Sequence, residues 1–334
     1  TISATGQNKT ILIDAATLVA FPGYAEDAVL KIVAIVTDKA GNESVVGTES
    51  DDEVTIDTTQ PTVVSLHSTT PDGYAIPTNE VNVTVTFTEA VTLVGGNLEV
   101  ELETGTTDEV VLISAIAGSV TASGTYTVLE GHENPLLSVL GLTLSAGTLR
   151  DAAGNEALKT LPLGSNLNNN NNINVDGILP TVTSVTSTST EGLFGKDGLI
   201  NLTVWFSEEV TLSNGETLDL DIDASGTDVS ITTFSNASSA STNYTVLEND
   251  ATTDLTVDAM ALSGGTLIDI AGNSVDLTDI SGITNLDAAF TFEVDGILPP
   301  VFDIISAATT GGNGVDGYWN DFNDGLNVTV AIPD

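Results

Sequence analysis

Cysteine is absent from the 334 residues, so neither a disulfide nor a thiolate metal site can form. Basic residues are scarce: Lys and Arg total 6 against 47 Asp and Glu, a formal charge of −41. With so little to neutralise phosphate, a nucleic-acid partner is excluded, and an anionic membrane surface repels the chain for the same reason. Cations are what such a surface attracts. Histidine occurs only at His67 and His132, in non-equivalent places and outside any nucleophile or metal motif. Adjacent acids such as Glu208 and Glu209 occur by chance in so acidic a chain, so no enzyme is expected. No window offers the roughly 18 uninterrupted apolar residues of a membrane span, and no charged-then-apolar leader opens the chain. Residue 1 is Thr inside a strand-like pattern, and both ends are expected to be cuts from something longer. Helical stripes are missing too: no segment of helical length repeats its apolar residues at a period of about 3.6.

What is present is apolar, β-forming and repetitive. Hydrophobic residues make up 41% and mean hydropathy is +0.21, which argues for a folded chain with two or three cores. Ile56-Asp57-Thr58-Thr59-Gln60-Pro61-Thr62-Val63 returns as Val175-Asp176-Gly177-Ile178-Leu179-Pro180-Thr181-Val182. It returns again from Val294-Asp295 to Pro300-Val301, so Asp57, Asp176 and Asp295 are each 119 positions apart. Between them Val83–Glu89 matches Leu202–Glu208, and Tyr126–Glu130 matches Tyr244–Glu248. Asp151-Ala-Ala-Gly-Asn155 matches Asp269-Ile-Ala-Gly-Asn273, with a third copy at Asp38–Asn42. The order predicts complete domains over 59–177 and 178–296. Residues 1–58 are then the C-terminal part of a preceding domain, of a shorter variety, and 297–334 the N-terminal part of a following one.

Each repeat reads as strand throughout. Val83, Val85 and Phe87 alternate with threonines, and Leu98, Val100 and Leu102 with Glu99, Glu101 and Glu103. Leu218, Leu220 and Ile222 alternate likewise with Asp219, Asp221 and Asp223. Turn residues separate these runs. The expected fold class is all-β: tandem immunoglobulin-like β-sandwiches in an elongated array. Asn168–Asn172 is expected to be a solvated loop.

The Asp-x-Ala-Gly-Asn turn and the Val-Asp-x-x-x-Pro-Thr-Val junction resemble tandem bacterial immunoglobulin-like repeats of giant surface adhesins. Gly147–Asn155 is especially similar to that family, and the resemblance covers essentially the whole chain. It implies an extracellular, cell-surface setting and calcium between domains.

In a sandwich of that kind the linker Asp57, Glu89 at the end of its strand and the turn residue Asp151 converge on one pole, with Asn155 as a neutral oxygen. The next junction gathers Asp176, Glu208, Asp269 and Asn273, and the third Asp295 and Asp334. The preceding domain can add Glu26 and Asp27, then Asp72 and Glu130, then Asp197, Glu248 or Asp250. Hard oxygen ligands in loops suit Ca²⁺. As solvated turn residues, Asp and Asn are also favoured for backbone reasons alone.

Other signals are weaker. Asp221-Ile-Asp223 begins like an EF-hand loop but has Thr232 at the twelfth position and no flanking helices. Tyr318, Trp319 and Phe322 among Asp316, Asp321 and Asp324, and the outward Trp205, could grip a sugar ring, or contact a neighbouring domain. The sequons at Asn82 and Asn201 are commonplace in a Thr-rich chain. No flat array of Thr or aromatics is evident along both repeats. The expected role is a structural stalk whose partners are its own neighbouring repeats and, in a filament, other chains, with no direct membrane insertion. The rivals are glycan- or protein-binding modules and accessory domains of a secreted hydrolase.

Overall fold

The β-branched and alternating runs form strands, and strands dominate every part of the chain. The computed structural model describes residues 10–50, 52–213, 215–224, 226, 228–278, 280–311, 318–319 and 324–331. The chain divides into two units, 1–178 and 179–334.

In the first unit the long strand Glu80–Val94 pairs with Val63–His67, Ser119–Thr127 and Thr148–Arg150. A second sheet orders Ser138–Leu144, Leu98–Glu103 and Glu109–Ile113. A third sets Ile173–Asp176 parallel to Gly73–Ala75 and antiparallel to Glu133–Asn134. The inward positions form one apolar core from Val63 to Val175, in which Val81, Val83, Val85, Leu98, Val100 and Leu102 are fully buried. Each such side chain contributes about 1.5–3 kcal/mol relative to exposure.

The second unit repeats the plan. Leu199–Leu212 pairs with Val182–Thr186, Phe234–Thr245 and Leu267–Ile268. Leu218–Ile222 lies between Val229–Ile231 and Val257–Leu262, and Phe292–Asp295 runs parallel to Gly192–Gly195. Its core runs from Val182 to Val294. The flanking segments are thinner. Val29–Leu30 pairs with Val54–Thr55, and Asp303–Thr310 with Gly325–Ala331, leaving Ile304, Leu326 and Val328 exposed.

The asparagine run is structural. Leu167–Asn170 is a short helix capped by Asn166, whose amide also clasps the Val139 backbone through its N–H and C=O at 3.1 and 2.9 Å. Asn170 Nδ2 donates to Leu66 O at 2.7 Å, and Asn171 exchanges hydrogen bonds with the Ser68 backbone at 2.8 and 3.2 Å. The expected solvated loop is corrected in part: Asn169, Asn170 and Asn172 are exposed, but amides that carry both donor and acceptor also satisfy the backbone of neighbouring segments. Asn285 holds Val257 in the same way at 3.3 and 2.7 Å.

Candidate functional site

The Asp-x-Ala-Gly-Asn motif closes a tight hairpin in all three copies, flanked by the bridges Thr37↔Glu43, Arg150↔Glu156 and Ile268↔Ser274. The turn requires a left-handed residue, supplied by Gly41, Gly154 and Gly272 at φ of 90, 101 and 104°. The aspartate turns inward onto the backbone. Asp151 Oδ1 accepts from Gly154 N at 2.7 Å and Asn155 N at 2.9 Å, and Oδ2 from Asn155 Nδ2 at 3.0 Å. Asp269 receives the same three bonds from Gly272 and Asn273 at 2.7, 2.9 and 2.9 Å. Burial works against the charge on Asp151, but the donors of Asn155 and Gly154 outweigh it and hold its pKa low.

The linker aspartates also shape their own turns. Asp57 Oδ1 accepts from Thr59 N at 3.2 Å, Asp176 Oδ1 from Ile178 N at 3.2 Å and Asp295 Oδ1 from Ile297 N at 3.1 Å. The glycine that follows in two copies is demanded by a close backbone approach. Gly177 N donates to His132 O at 2.6 Å, Gly296 N donates to Asp250 O at 2.7 Å, and a Cβ on either would strike backbone carbonyl oxygens. Thr58 takes that place in the first copy, where its amide and hydroxyl donate to the Glu26 carboxylate at 3.1 and 2.7 Å.

These turns bring Asp57 and Asp151 together with Glu89, one oxygen from each lying within 4.8 Å of the others. Glu89 lies inside the strand Glu80–Val94, at the irregularity between Thr86 and Val91 where the ladder to Ser119–Thr127 breaks. A bulge there re-aims a side chain that regular pairing would hold against the sheet. Desolvation, then the backbone bond to Thr59 working in opposition, then the charges of Asp151 and Glu26 leave Asp57 with a raised pKa. Glu89 is raised by desolvation and then by the charges of Asp57, Asp151 and Glu26. Glu26 is held low, first by the Thr58 hydroxyl and then by its amide. Glu26, Asp27, Asp57 and Glu89 line an open cleft of about 380 Å³.

Asn155 behaves differently from the expectation. Rather than offering an oxygen, it points Nδ2 at both aspartates, reaching Asp57 Oδ1 at 3.1 Å and Asp57 O at 3.2 Å. A neutral amide thus spans two carboxylates. The remaining donor set is made of hard carboxylate oxygens, and their spacing fits Ca²⁺, whose ligands lie about 2.3–2.6 Å from the ion and so up to about 5 Å from one another.

The other expected ligands divide. Asp269 and Asn273 are joined in their turn, and Glu208 occupies the irregularity between Trp205 and Val210, as Glu89 does in its own strand. Asp334 lies outside the described residues, as do Asp316, Asp321 and Phe322. Asp250 is committed elsewhere: buried, it accepts the Tyr244 hydroxyl at 2.6 Å and Leu247 N at 2.7 Å. Asp72 accepts Asn172 N at 2.9 Å. In the EF-hand-like stretch Asp223 accepts from Thr252 Oγ1 at 2.6 Å and Thr256 N at 2.9 Å, a turn-closing role.

The sequence singled out the outward Trp205 but not the rungs around it. The outward face around Glu80–Val94 carries the rungs Ser65–Thr86–Thr121 and His67–Thr84–Ser123. Its counterpart carries Ser184–Trp205–Ser239 and Thr186–Thr203–Ser241. The same hydroxyl contact, 2.8 Å, joins Thr84 to Ser123 and Thr203 to Ser241. Strands far apart in sequence thus bring these hydroxyls into register in each repeat, with Thr84 and Thr203 themselves buried. The alternating acids Glu99, Glu101 and Glu103, and Asp219 and Asp221, sit on the other sheet, on Leu98–Glu103 and Leu218–Ile222.

No family model and no curated protein matches the chain. A solved structure similar over 84% of it is the full extracellular region of plexin A4, domains 1 to 10, at 13% identity and a TM-score of 0.20. The chain spans 22% of the length of that protein. Among the described residues no helix is long and apolar enough to cross a membrane.

Proposed function

We propose that this chain is a tandem immunoglobulin-like stalk segment of a long bacterial surface adhesin or filament, stiffened by Ca²⁺ at its domain junctions. The observation that carries the reading is the carboxylate cluster Asp57, Glu89 and Asp151. It draws on the preceding segment, the long strand and the distal hairpin of one repeat, so an ion bound there ties a linker to the body that follows it. Desolvation and the neighbouring carboxylates raise the pKa of Asp57 and Glu89, and a divalent cation offsets that penalty on their charged forms. Two units with one core each, repeated strand for strand, support a modular spacer. A strand of about 12 residues spans about 40 Å, roughly the reach each domain adds. The setting is extracellular, the role structural, and the partners are the neighbouring repeats.

Calorimetric titration of the full chain with Ca²⁺ tests the ion. Binding of Ca²⁺ in preference to Mg²⁺, weakened by Asp57→Asn with Glu89→Gln, is the expected result. Unchanged heats in that double variant would remove the ion from this cluster.

A further inference from the structure

We infer that the outer face of the sheet Val182–Thr186, Leu199–Leu212 and Phe234–Thr245 is a binding platform for a neutral polysaccharide, centred on Trp205. Trp205 is 42% exposed, and its indole Nε1 donates to Thr186 Oγ1 at 2.9 Å, which fixes the ring's orientation before any ligand arrives. Its partners on either side in the rung are Ser184 and Ser239, too small to cover the ring. The next rung places the hydroxyls of Thr186 and Ser241 beside it, with Thr203 between them buried and bonded to Ser241 Oγ at 2.8 Å. A partly exposed indole beside hydroxyl groups pairs an apolar ring face with groups that both donate and accept, the chemistry a sugar ring requires.

Charge selects the occupant. The chain carries −41, yet the paired rungs from Asn201 to Trp205 hold no carboxylate and no cation. A polyanion is repelled by the molecule as a whole, and a polycation is drawn instead to the acidic sheet bearing Asp219 and Asp221. A neutral polyol is indifferent to both and binds where short-range contacts are best. The face is about 10 Å across three strands and about 20 Å along them, room for a few sugar residues in line. In the first repeat Thr86 stands where Trp205 stands, so that face lacks the ring. The function inferred is lateral attachment of the stalk to a glycan, and it stands independently of the calcium reading.

The test uses the full chain, with the indole N–H signals of Trp205 and Trp319 followed by NMR during titration with cellohexaose, chitohexaose and mannohexaose, and with polygalacturonate as an anionic control. At least one neutral hexasaccharide is expected to shift the Trp205 signal and leave Trp319 in place. Trp205→Thr, which copies the first repeat, is expected to weaken binding at least about tenfold with the melting temperature retained. Thr186→Val, which frees the indole, is expected to weaken it less. The inference is overturned if no neutral saccharide shifts the signal, if affinity survives Trp205→Thr, or if polygalacturonate binds equally. Self-association abolished by Trp205→Thr, without saccharide binding, would instead give the face to a second copy.

Discussion

Asp151 and Glu89 share one cluster yet their pKa values move in opposite senses, because N–H donors outweigh burial at Asp151 while desolvation and then the neighbouring carboxylates act together on Glu89. Folding raises the pKa of Asp57 and Glu89, so both subtract stability at neutral pH, and that loss is recovered as pH falls through their folded values. Folding lowers the pKa of Asp151 and Glu26, whose contribution is full above the unfolded carboxylate range and lost below it. In EGTA the melting temperature is therefore expected to rise as pH falls from neutrality through the raised values of Asp57 and Glu89, and to fall once pH drops below the ordinary carboxylate range of about 4. Glu89→Gln is expected to flatten the rise. With Ca²⁺ present the rise is replaced by a decline, because protons compete with the ion for its ligands. Thermal melts across that range, with and without Ca²⁺, read both signs.

At the scale of elements, the repeated motifs are first of all backbone devices. Asp-x-Ala-Gly-Asn closes the same hairpin in three places, with one variation at Asp38–Asn42, where Ala40 N rather than the glycine amide joins Asn42 N in donating to Asp38 Oδ1, at 2.8 and 2.9 Å. Gly177 and Gly296 are needed where the chain passes closely against the Tyr126–His132 and Tyr244–Asp250 corners. Gly177→Ala is expected to cost about 1–3 kcal/mol in denaturant unfolding, since the clash is with backbone rather than a movable side chain. Asn285→Ala, which removes the clasp on Val257, is expected to cost about 1–3 kcal/mol by leaving buried backbone groups unpaired.

Much of this was legible in the sequence. Alternation of Val83, Val85 and Phe87 marked the strand and its buried face, and the linker, the strand end and the repeated turn pointed to Asp57, Glu89 and Asp151, whose oxygens lie together. What stayed hidden depends on which atom of a side chain faces which neighbour, or on strands remote in sequence. Asn155 carries an oxygen and a nitrogen, and composition does not say which one meets the aspartates. Asn170 and Asn171 read as solvated because nothing local marks Leu66 and Ser68 as the backbone they satisfy. The Thr84–Ser123 and Thr203–Ser241 pairs are sequons or bland polar positions until pairing register joins them.

For the whole molecule, the two cores predict separable unfolding. Leu102→Ala is expected to cost about 2–5 kcal/mol in the unit that contains Leu102, leaving the transition of the core around Leu220 in place. The stalk itself is a claim about stiffness, and small-angle X-ray scattering of the full chain tests it most directly. Moving from EGTA to millimolar Ca²⁺ is expected to increase the radius of gyration and the maximum dimension, and Asp57→Asn with Glu89→Gln is expected to reduce the change. Scattering profiles that superimpose with and without Ca²⁺ would contradict a calcium-stiffened stalk.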